Sequence, residues 1–202
     1  QVMRAGDTYE QSMHAAQEYA QETGAILLSD SAWHGYTERP YAVMEGYTAL
    51  MYEVGEEIAS PPSHIFVQAG VGGLAGAVAA YARKLWGADP KIIVVEPEFA
   101  PALMQSVIAG KPVKTSGPIS NMGRLDCKEP SLIALKGLAR DADFFMTITE
   151  DEARTSRDIA NDAGFASTTS GTAGIAGLLV CDHTLLQLDS SSRVLCFVSE
   201  EA

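Results

Sequence analysis

The stretch from Ile65 to Gly76 constrains the fold of this chain most strongly. It begins with Ile65-Phe66-Val67, an apolar run of the kind found in strands buried on both faces. Glycines stand at 70, 72 and 73, and residues 74–86 are then rich in Ala and Leu and contain no proline, which favours helix. We therefore predict a strand, a glycine-rich turn and a helix.

This predicted turn indicates an anion-binding site. Glycine lets the backbone approach a ligand closely, and the free N–H groups of a helix N-terminus attract phosphate. The alternative is a tight strand-to-helix connection without a ligand. The match to a dinucleotide-binding motif is only partial, because Gly76 comes one place later than the third glycine of G-x-G-x-x-G.

Composition narrows the function classes. The 202 residues are enough for one good-sized domain or two small ones, and a net charge of −12 argues against nucleic acid or an anionic membrane as partner. No apolar run reaches about 18 residues, and no signal peptide is visible. Cys127, Cys181 and Cys196 are odd in number and lack CxxC spacing, and the four histidines lack ligand spacing. We expect free thiols in a cytoplasmic protein and no metal site.

Further elements complete the predicted domain. Lys91–Val95 is a second apolar strand, and two strands joined by one helix make a parallel βαβ unit with a right-handed crossover. The other predicted helices cover residues 8–22, 41–59, 99–109, 131–140, 173–180 and a segment starting at 150; the other predicted strands cover 25–28, 144–149 and 194–198.

Polar residues follow several of these strands, at the edge where α/β sheets bind ligands. Asp30, with Tyr36 as a neighbour, is a candidate acid or base, although position alone favours an Asp30 side chain that caps its own turn. Glu96 can reach a ligand or cap a helix or turn. Arg124, in the irregular segment 111–130, can pair with a carboxylate, but a solvated side chain is favoured. Ser199 follows the last strand.

A second glycine-bearing turn covers residues 168–174 and opens the helix over 173–180. It is either a second anion site or a capped helix packed closely through Gly174 and Gly177.

Several segments together resemble pyridoxal-phosphate enzymes of the tryptophan-synthase-β/threonine-dehydratase superfamily, and within it the diaminopropionate ammonia-lyase family. They follow the family order over most of the chain and are Asp30–Thr37, Gln68–Gly76, Val94–Pro97, Met122–Pro130 and Ser170-Gly171. The resemblance implies a three-layer αβα fold with a mostly parallel twisted sheet, a small amino-acid substrate and, in the parent protein, a homodimer.

The resemblance also implies roles for particular residues. Asp30 resembles a catalytic acid of the family's active site. The other implied site residues are those that bind pyridoxal 5'-phosphate (Gly70, Val71, Gly72, Gly73 and Leu74 at its phosphate, Ser199 at its pyridine nitrogen, and Glu96) and those of the substrate loop (Tyr36, Met122, Arg124 and Glu129).

The chain departs from the family pattern in two respects. None of its six lysines lies in the family's lysine motif, which we expect upstream of this chain, and Glu201 replaces an expected glycine. We therefore expect residues 1–202 to be a single α/β domain of a longer two-domain enzyme, with 1–23 leading in from the small domain, and to be inactive alone. The alternatives are a related serine or threonine dehydratase and a non-catalytic, Rossmann-like nucleotide-binding module.

Overall fold

The apolar run at Ile65 forms an inner strand of a parallel sheet in the computed structural model, which describes residues 2–201. The strands are β1 (His64–Gln68), β2 (Lys91–Pro97), β3 (Phe144–Ile148) and β4 (Val194–Cys196), in the order β3-β2-β1-β4. The helices are α1 (Tyr9–Thr23), α2 (Glu38–Glu57), α3 (Gly73–Trp86), α4 (Ala102–Ala109), α5 (Leu132–Asp141), α6 (Glu150–Asp162), α7 (Ala173–Val180) and α8 (His183–Leu186).

The two faces of β1 are buried under different helices. Ile65 and Val67 face a core to which α2, α3 and α5 contribute, whereas Phe66 faces a core formed with α6 and α7. This division follows from the alternation of side chains along a strand. Because both faces are covered, β1 needs the uninterrupted apolar run seen in its sequence, and the predicted three-layer αβα fold is confirmed.

Several predicted elements are confirmed closely. The helix predicted over 173–180 has these bounds, and Thr149 caps α6 in a capping box with Glu152. The predicted parallel pairing of the first two strands is observed, with Ile65 opposite Ile92. Within the part of the chain that the structure describes, no helix has the length and apolar character required to cross a membrane.

One predicted strand does not form in the described chain, and some predicted ends are displaced: α2 covers Glu38–Glu57 where 41–59 was predicted, and β4 ends at Cys196 where 198 was predicted. Residues 25–28 join no strand in the described chain, and Ile26 and Leu28 are largely exposed. The helix predicted from Phe99 begins only at Ala102, because a proline at 101 disfavours helical geometry in the residue before it.

Candidate functional site

The order in which strands are added to the parallel sheet reverses at β1. The chain passes from β1 to β2 and β3 on one side and then returns through α6 and α7 to place β4 on the other side of β1. Parallel sheets of this kind bind ligands in the crevice outside the carboxyl ends of the strands at such a switch point. A cavity of about 400 Å³ lies at this position, lined by Gln68 and the glycine turn after β1 and by Ser199 and Glu200 after β4.

The glycine turn presents a helix N-terminus to this cavity. Gly72 is the N-cap of α3 and has a φ of 100°, a left-handed conformation that favours glycine. The Gly76 N–H makes the first bond of the helix, to the Gly72 carbonyl at 2.8 Å. Gly73, Leu74 and Ala75, which precede that bond, line the cavity. Since glycine has no side chain to accept their N–H groups, the turn is suited to bind an anion.

The segment after residue 121 supports the turn from outside. A Cβ atom at Gly70 would lie 3.0 Å from the Arg124 carbonyl oxygen and 3.1 Å from the Cys127 Sγ atom, so only glycine fits without displacement. The Val71 carbonyl accepts the Ser131 N–H at 3.0 Å. The turn is therefore held in place before a ligand arrives, which lowers the entropic cost of binding.

Asp30 lies in the cavity wall and is held by a tyrosine. The Tyr9 hydroxyl on α1 donates to Asp30 Oδ1 at 2.8 Å, and both residues line the cavity. Burial, and then the negative charge of Asp30, raise the pKa of Tyr9 above its ordinary value, so the hydroxyl remains a donor. Tyr9 was missed in the sequence, because nothing local links it to a residue 21 positions away.

The expected turn cap at this loop is made by a different residue. Ser29 Oγ accepts the Ser31 N–H at 3.1 Å, a local bond that fixes the turn. Within the described residues, the hydrogen bond of the Asp30 carboxylate is the one it accepts from the Tyr9 hydroxyl, and it accepts none from the backbone of its own turn. The alternative that Asp30 itself caps the turn is therefore wrong.

The Cys127 thiol is a neutral part of the cavity wall. Burial, followed by the negative charges of Asp30 and Glu10, raises its pKa to about 12, although the Val71 N–H lowers it. The thiol is consequently protonated at neutral pH, and a thiol in that state is a poor nucleophile.

Ser199 is fixed by Gln68 at the β4 side of the cavity. Gln68 is buried at the end of β1, and its Nε2 atom donates to Ser199 Oγ at 2.9 Å. The same nitrogen faces the carbonyl oxygens of Gly171 at 3.1 Å and Phe197 at 3.2 Å. Gln68 was not predicted as a site residue, although a polar residue ending an apolar buried strand was a signal that could have found it.

Arg124 lies at the mouth of the cavity with a side chain that is 83% exposed, and its Nε atom is 3.5 Å from Glu200 Oε2. The sequence-based preference for a solvated guanidinium is confirmed. The position still leaves the side chain able to reach a ligand carboxylate at the cavity mouth.

Glu96 was expected at the cofactor, but it lies elsewhere. It is fully buried, it does not line the cavity, and its two carboxylate oxygens each accept a backbone N–H at 2.8 Å, from Leu103 and Met104 of α4. Burial raises the pKa of Glu96 to about 7, while these two bonds lower it. The helix-cap interpretation is the one observed.

Three residues expected at the substrate loop also lie outside this cavity. Tyr36 stacks on Trp33 and donates its hydroxyl to the Leu27 carbonyl at 2.9 Å, so it orders the loop that carries Asp30. Met122 is fully buried in the core beneath α7. Glu129 forms an exposed ion pair with Lys114 at 2.5 Å, in a neighbouring cleft.

Fold and site define a class: an α/β domain with a parallel sheet and, at its switch point, a cavity whose open helix N-terminus is suited to an anion. The sequence family described as pyridoxal-phosphate dependent enzyme matches residues 1–200, and the chain belongs to this family.

The chain is 34% identical to the diaminopropionate ammonia-lyase of Salmonella typhimurium, over 95% of this chain and 53% of that protein. It is 24% identical to the biosynthetic L-threonine dehydratase of Mycobacterium bovis, over 96% and 43%. The crystal structure of the Escherichia coli diaminopropionate ammonia-lyase in complex with D-serine superposes with a TM-score of 0.86 at 28% identity, covering 96% of this chain and 53% of that one. The chain thus spans about half the length of these relatives.

The cavity suits the family's cofactor. A helix N-terminus with a glycine cradle can receive a phosphate, and the Ser199 hydroxyl provides a neutral polar group for a heterocyclic nitrogen. No lysine among residues 2–201 lines this cavity.

Proposed function

We propose that this chain is the cofactor-binding part of a pyridoxal-phosphate-dependent ammonia-lyase that acts on 2,3-diaminopropionate. The reaction is an α,β-elimination: the α-proton and the β-amino group leave, and the resulting enamine takes up water to give pyruvate and a second ammonia. One observation carries the proposal, namely that the bare N-terminus of α3, the Asp30 carboxylate and the Ser199 hydroxyl line one cavity.

Backbone and hydroxyl groups would hold the cofactor. In the proposal, the N–H groups of Gly70 to Leu74 bind the phosphate and the Ser199 hydroxyl meets the pyridine nitrogen. A neutral hydroxyl leaves that nitrogen unprotonated. When bound, the cofactor withdraws electrons from the α-carbon of the substrate and so makes its proton removable.

Asp30 is the proposed acid or base at the α-carbon or the leaving nitrogen. Because Oδ1 accepts the Tyr9 hydroxyl, Oδ2 is the oxygen left for the substrate. Arg124 is proposed to meet the substrate carboxylate at the cavity mouth. Tyr36, Met122 and Glu129 are proposed to act indirectly, by shaping the loops that surround the substrate.

The reactive lysine is proposed to come from outside these 202 residues, in a longer, homodimeric and cytoplasmic enzyme. The external origin of the lysine is supported by the absence of a lysine from the cavity lining of the described chain. The cytoplasmic location is supported by the free thiols at Cys127, Cys181 and Cys196, which suit a reducing compartment. On this proposal the chain binds the cofactor without a covalent bond and is inactive alone.

A related serine or threonine dehydratase is the second candidate, since the same fold and cavity would serve the loss of a β-hydroxyl group as well as that of a β-amino group. The 34% identity to a diaminopropionate ammonia-lyase, against 24% to a threonine dehydratase, favours the first. A nucleotide-binding module is disfavoured, because the acid that it would use, Glu96, is buried as a helix cap.

Titration of the chain with pyridoxal phosphate and, separately, with NAD tests the proposal. We expect saturable binding of pyridoxal phosphate and no binding of NAD. After borohydride reduction we expect no covalent adduct in the intact mass of the chain. Preferential binding of NAD, or a stoichiometric adduct at one lysine, would contradict it.

The substrate is tested on the full-length enzyme by measuring 2-oxo acid and ammonia release from 2,3-diaminopropionate, serine and threonine. We expect the largest kcat/KM for 2,3-diaminopropionate, with loss of activity in Asp30→Asn. A larger value for serine or threonine would establish the dehydratase instead.

A further inference from the structure

We infer that Gln68 is a positioning residue that forces the Ser199 hydroxyl to act as a hydrogen-bond donor toward the cavity. The inference deepens the proposed function and rests on it, since it concerns how the site recognises the ring nitrogen of the cofactor. It assigns a role to a residue that touches neither the phosphate nor the substrate in that proposal.

The orientation of the Gln68 amide is fixed by its surroundings. Carbonyl oxygens only accept hydrogen bonds, and two of them, from Gly171 and Phe197, lie 3.1 and 3.2 Å from the same side-chain atom. That atom must therefore be the NH₂ group. The opposite end of the amide is Oε1, a buried oxygen that has no hydrogen-bond partner within the described residues.

The fixed amide in turn limits Ser199. An amide nitrogen donates and does not accept, and the two Nε2 protons are shared among the carbonyl oxygens of Gly171 and Phe197 and the Ser199 oxygen, which lies 2.9 Å away. The Ser199 hydroxyl can therefore accept from Nε2 but cannot donate to it. Its proton turns away from Gln68. No protein acceptor for this proton is found in residues 2–201, and Ser199 lines the cavity, so the proton is available to a ligand acceptor.

This arrangement selects the protonation state of the ligand. A hydroxyl that donates into the cavity favours an unprotonated ring nitrogen, which accepts, over a protonated one, which also donates. Gly174 is part of the same arrangement, because a Cβ atom there would lie 3.0 Å from Gln68 Oε1 and 2.9 Å from the Phe66 carbonyl oxygen. The close approach of α7 keeps the amide from moving away from Ser199.

The first test compares pyridoxal phosphate with its 1-deaza analogue, in which C–H replaces the ring nitrogen. We expect the wild-type chain to prefer pyridoxal phosphate about three- to tenfold, the equivalent of one net hydrogen bond. This preference should fall to about one in Gln68→Met and in Ser199→Ala, and should persist in Ser199→Thr and in the exposed control Gln105→Met on α4. Affinity for inorganic phosphate should be the same in all of them.

The second test needs no ligand and follows hydrogen exchange of the Gln68 side-chain amide protons by NMR. We expect protection in the wild type and faster exchange in Ser199→Ala. If exchange is the same in both, or if Gln68→Met retains the full preference for the ring nitrogen, the role of Gln68 is refuted. If no variant, the wild type included, binds pyridoxal phosphate while Gln68 stays protected by Ser199, the proposed function fails and the hydrogen-bond assignment stands.

Discussion

The two glycine-bearing turns of this protein look alike in sequence and differ in the hydrogen bonds within the turn and in how closely the following helix packs. Each precedes an Ala- and Leu-rich helix, α3 in one case and α7 in the other. The turn before α3 leaves the helix N-terminus open to the cavity. In the turn before α7, the Thr172 hydroxyl donates to the Thr168 carbonyl at 3.0 Å, and the Thr168 hydroxyl accepts the Gly171 N–H at 3.1 Å.

Their glycines serve different purposes as well. Gly72 takes a positive φ that other residues adopt at a cost. Gly174 and Gly177 have ordinary helical geometry. A residue without a side chain is required there because α7 packs against the sheet, and a Cβ atom at Gly177 would lie 2.6 Å from Val95 Cγ2. Glycine content alone therefore does not identify an anion site. The expected close packing through Gly174 and Gly177 is observed, but the expected side-chain cap is not: Thr172, the N-cap of α7, makes no capping hydrogen bond through its side chain. Ser170 also lines the cavity.

We expect the greatest change in stability at a third helix N-terminus, that of α4, where the chain itself supplies the carboxylate that binds the N–H groups. Glu96 caps α4, and burial raises its pKa from 4.5 to about 7. A folded-state pKa above the unfolded value gives stability that is complete below about pH 4.5 and is lost as pH rises through about 7. We expect the free energy of unfolding to fall by about 3 kcal/mol across this window.

Urea unfolding at a series of pH values measures this dependence. In Glu96→Gln the fall should largely disappear, because an amide has no charge to bury. An equally steep fall in Glu96→Gln would show that another group is responsible.

The second effect separates packing from binding. Gly177→Ala should lower the free energy of unfolding by about 2 kcal/mol through overpacking against Val95, with unchanged affinity for phosphate. The control is Gly137→Ala on α5, where a Cβ meets nothing within 4 Å, and a gain of about 0.5–1 kcal/mol is expected. Weaker phosphate binding in Gly177→Ala would show that the second turn is part of the anion site and that the two turns do not differ in this respect.

The smallest effect on stability is expected at the first turn, where binding is affected instead. Gly72→Ala places a side chain at a φ of 100° and should cost about 1.5 kcal/mol. Its Cβ would also lie 3.0 Å from Leu103 Cδ1, and we expect this tight contact together with the strained φ to disturb the alignment of the N–H groups. Titration calorimetry should record at least about tenfold weaker binding of pyridoxal phosphate. Unchanged affinity would exclude this turn as the phosphate site.

Local sequence chemistry explains what could be predicted. The β1 strand, the Gly70–Gly72 turn and α7 are specified by neighbouring residues, so their positions follow from composition and spacing. The strand predicted at 25–28 fails because an apolar run cannot reveal whether a partner strand lies beside it. For Glu96 the sequence left open a ligand contact or a helix or turn cap. The choice depended on the start of α4, because the N–H groups that Glu96 accepts from belong to its first turn.

The missed residues depend on tertiary contacts. Tyr9 reaches Asp30 across 21 positions and Gln68 reaches Ser199 across 131, and no local pattern encodes either distance. The resemblance to the enzyme family led us to expect Asp30 and Ser199 at the site. It included Gln68 in a matching segment without assigning it a role, and it did not include Tyr9.

The position of β4 beside β1 sets the order of events during synthesis. The contact between Ser63 and Arg193 joins residues 130 positions apart, so a ribosome adding about 5–20 residues per second needs roughly ten seconds to make the second after the first. During that interval β1 is an unprotected sheet edge in the nascent chain, and the cavity has no Ser199 side. A chaperone that binds exposed strand edges would therefore have access to this side of β1 only before β4 pairs with it and completes the cavity.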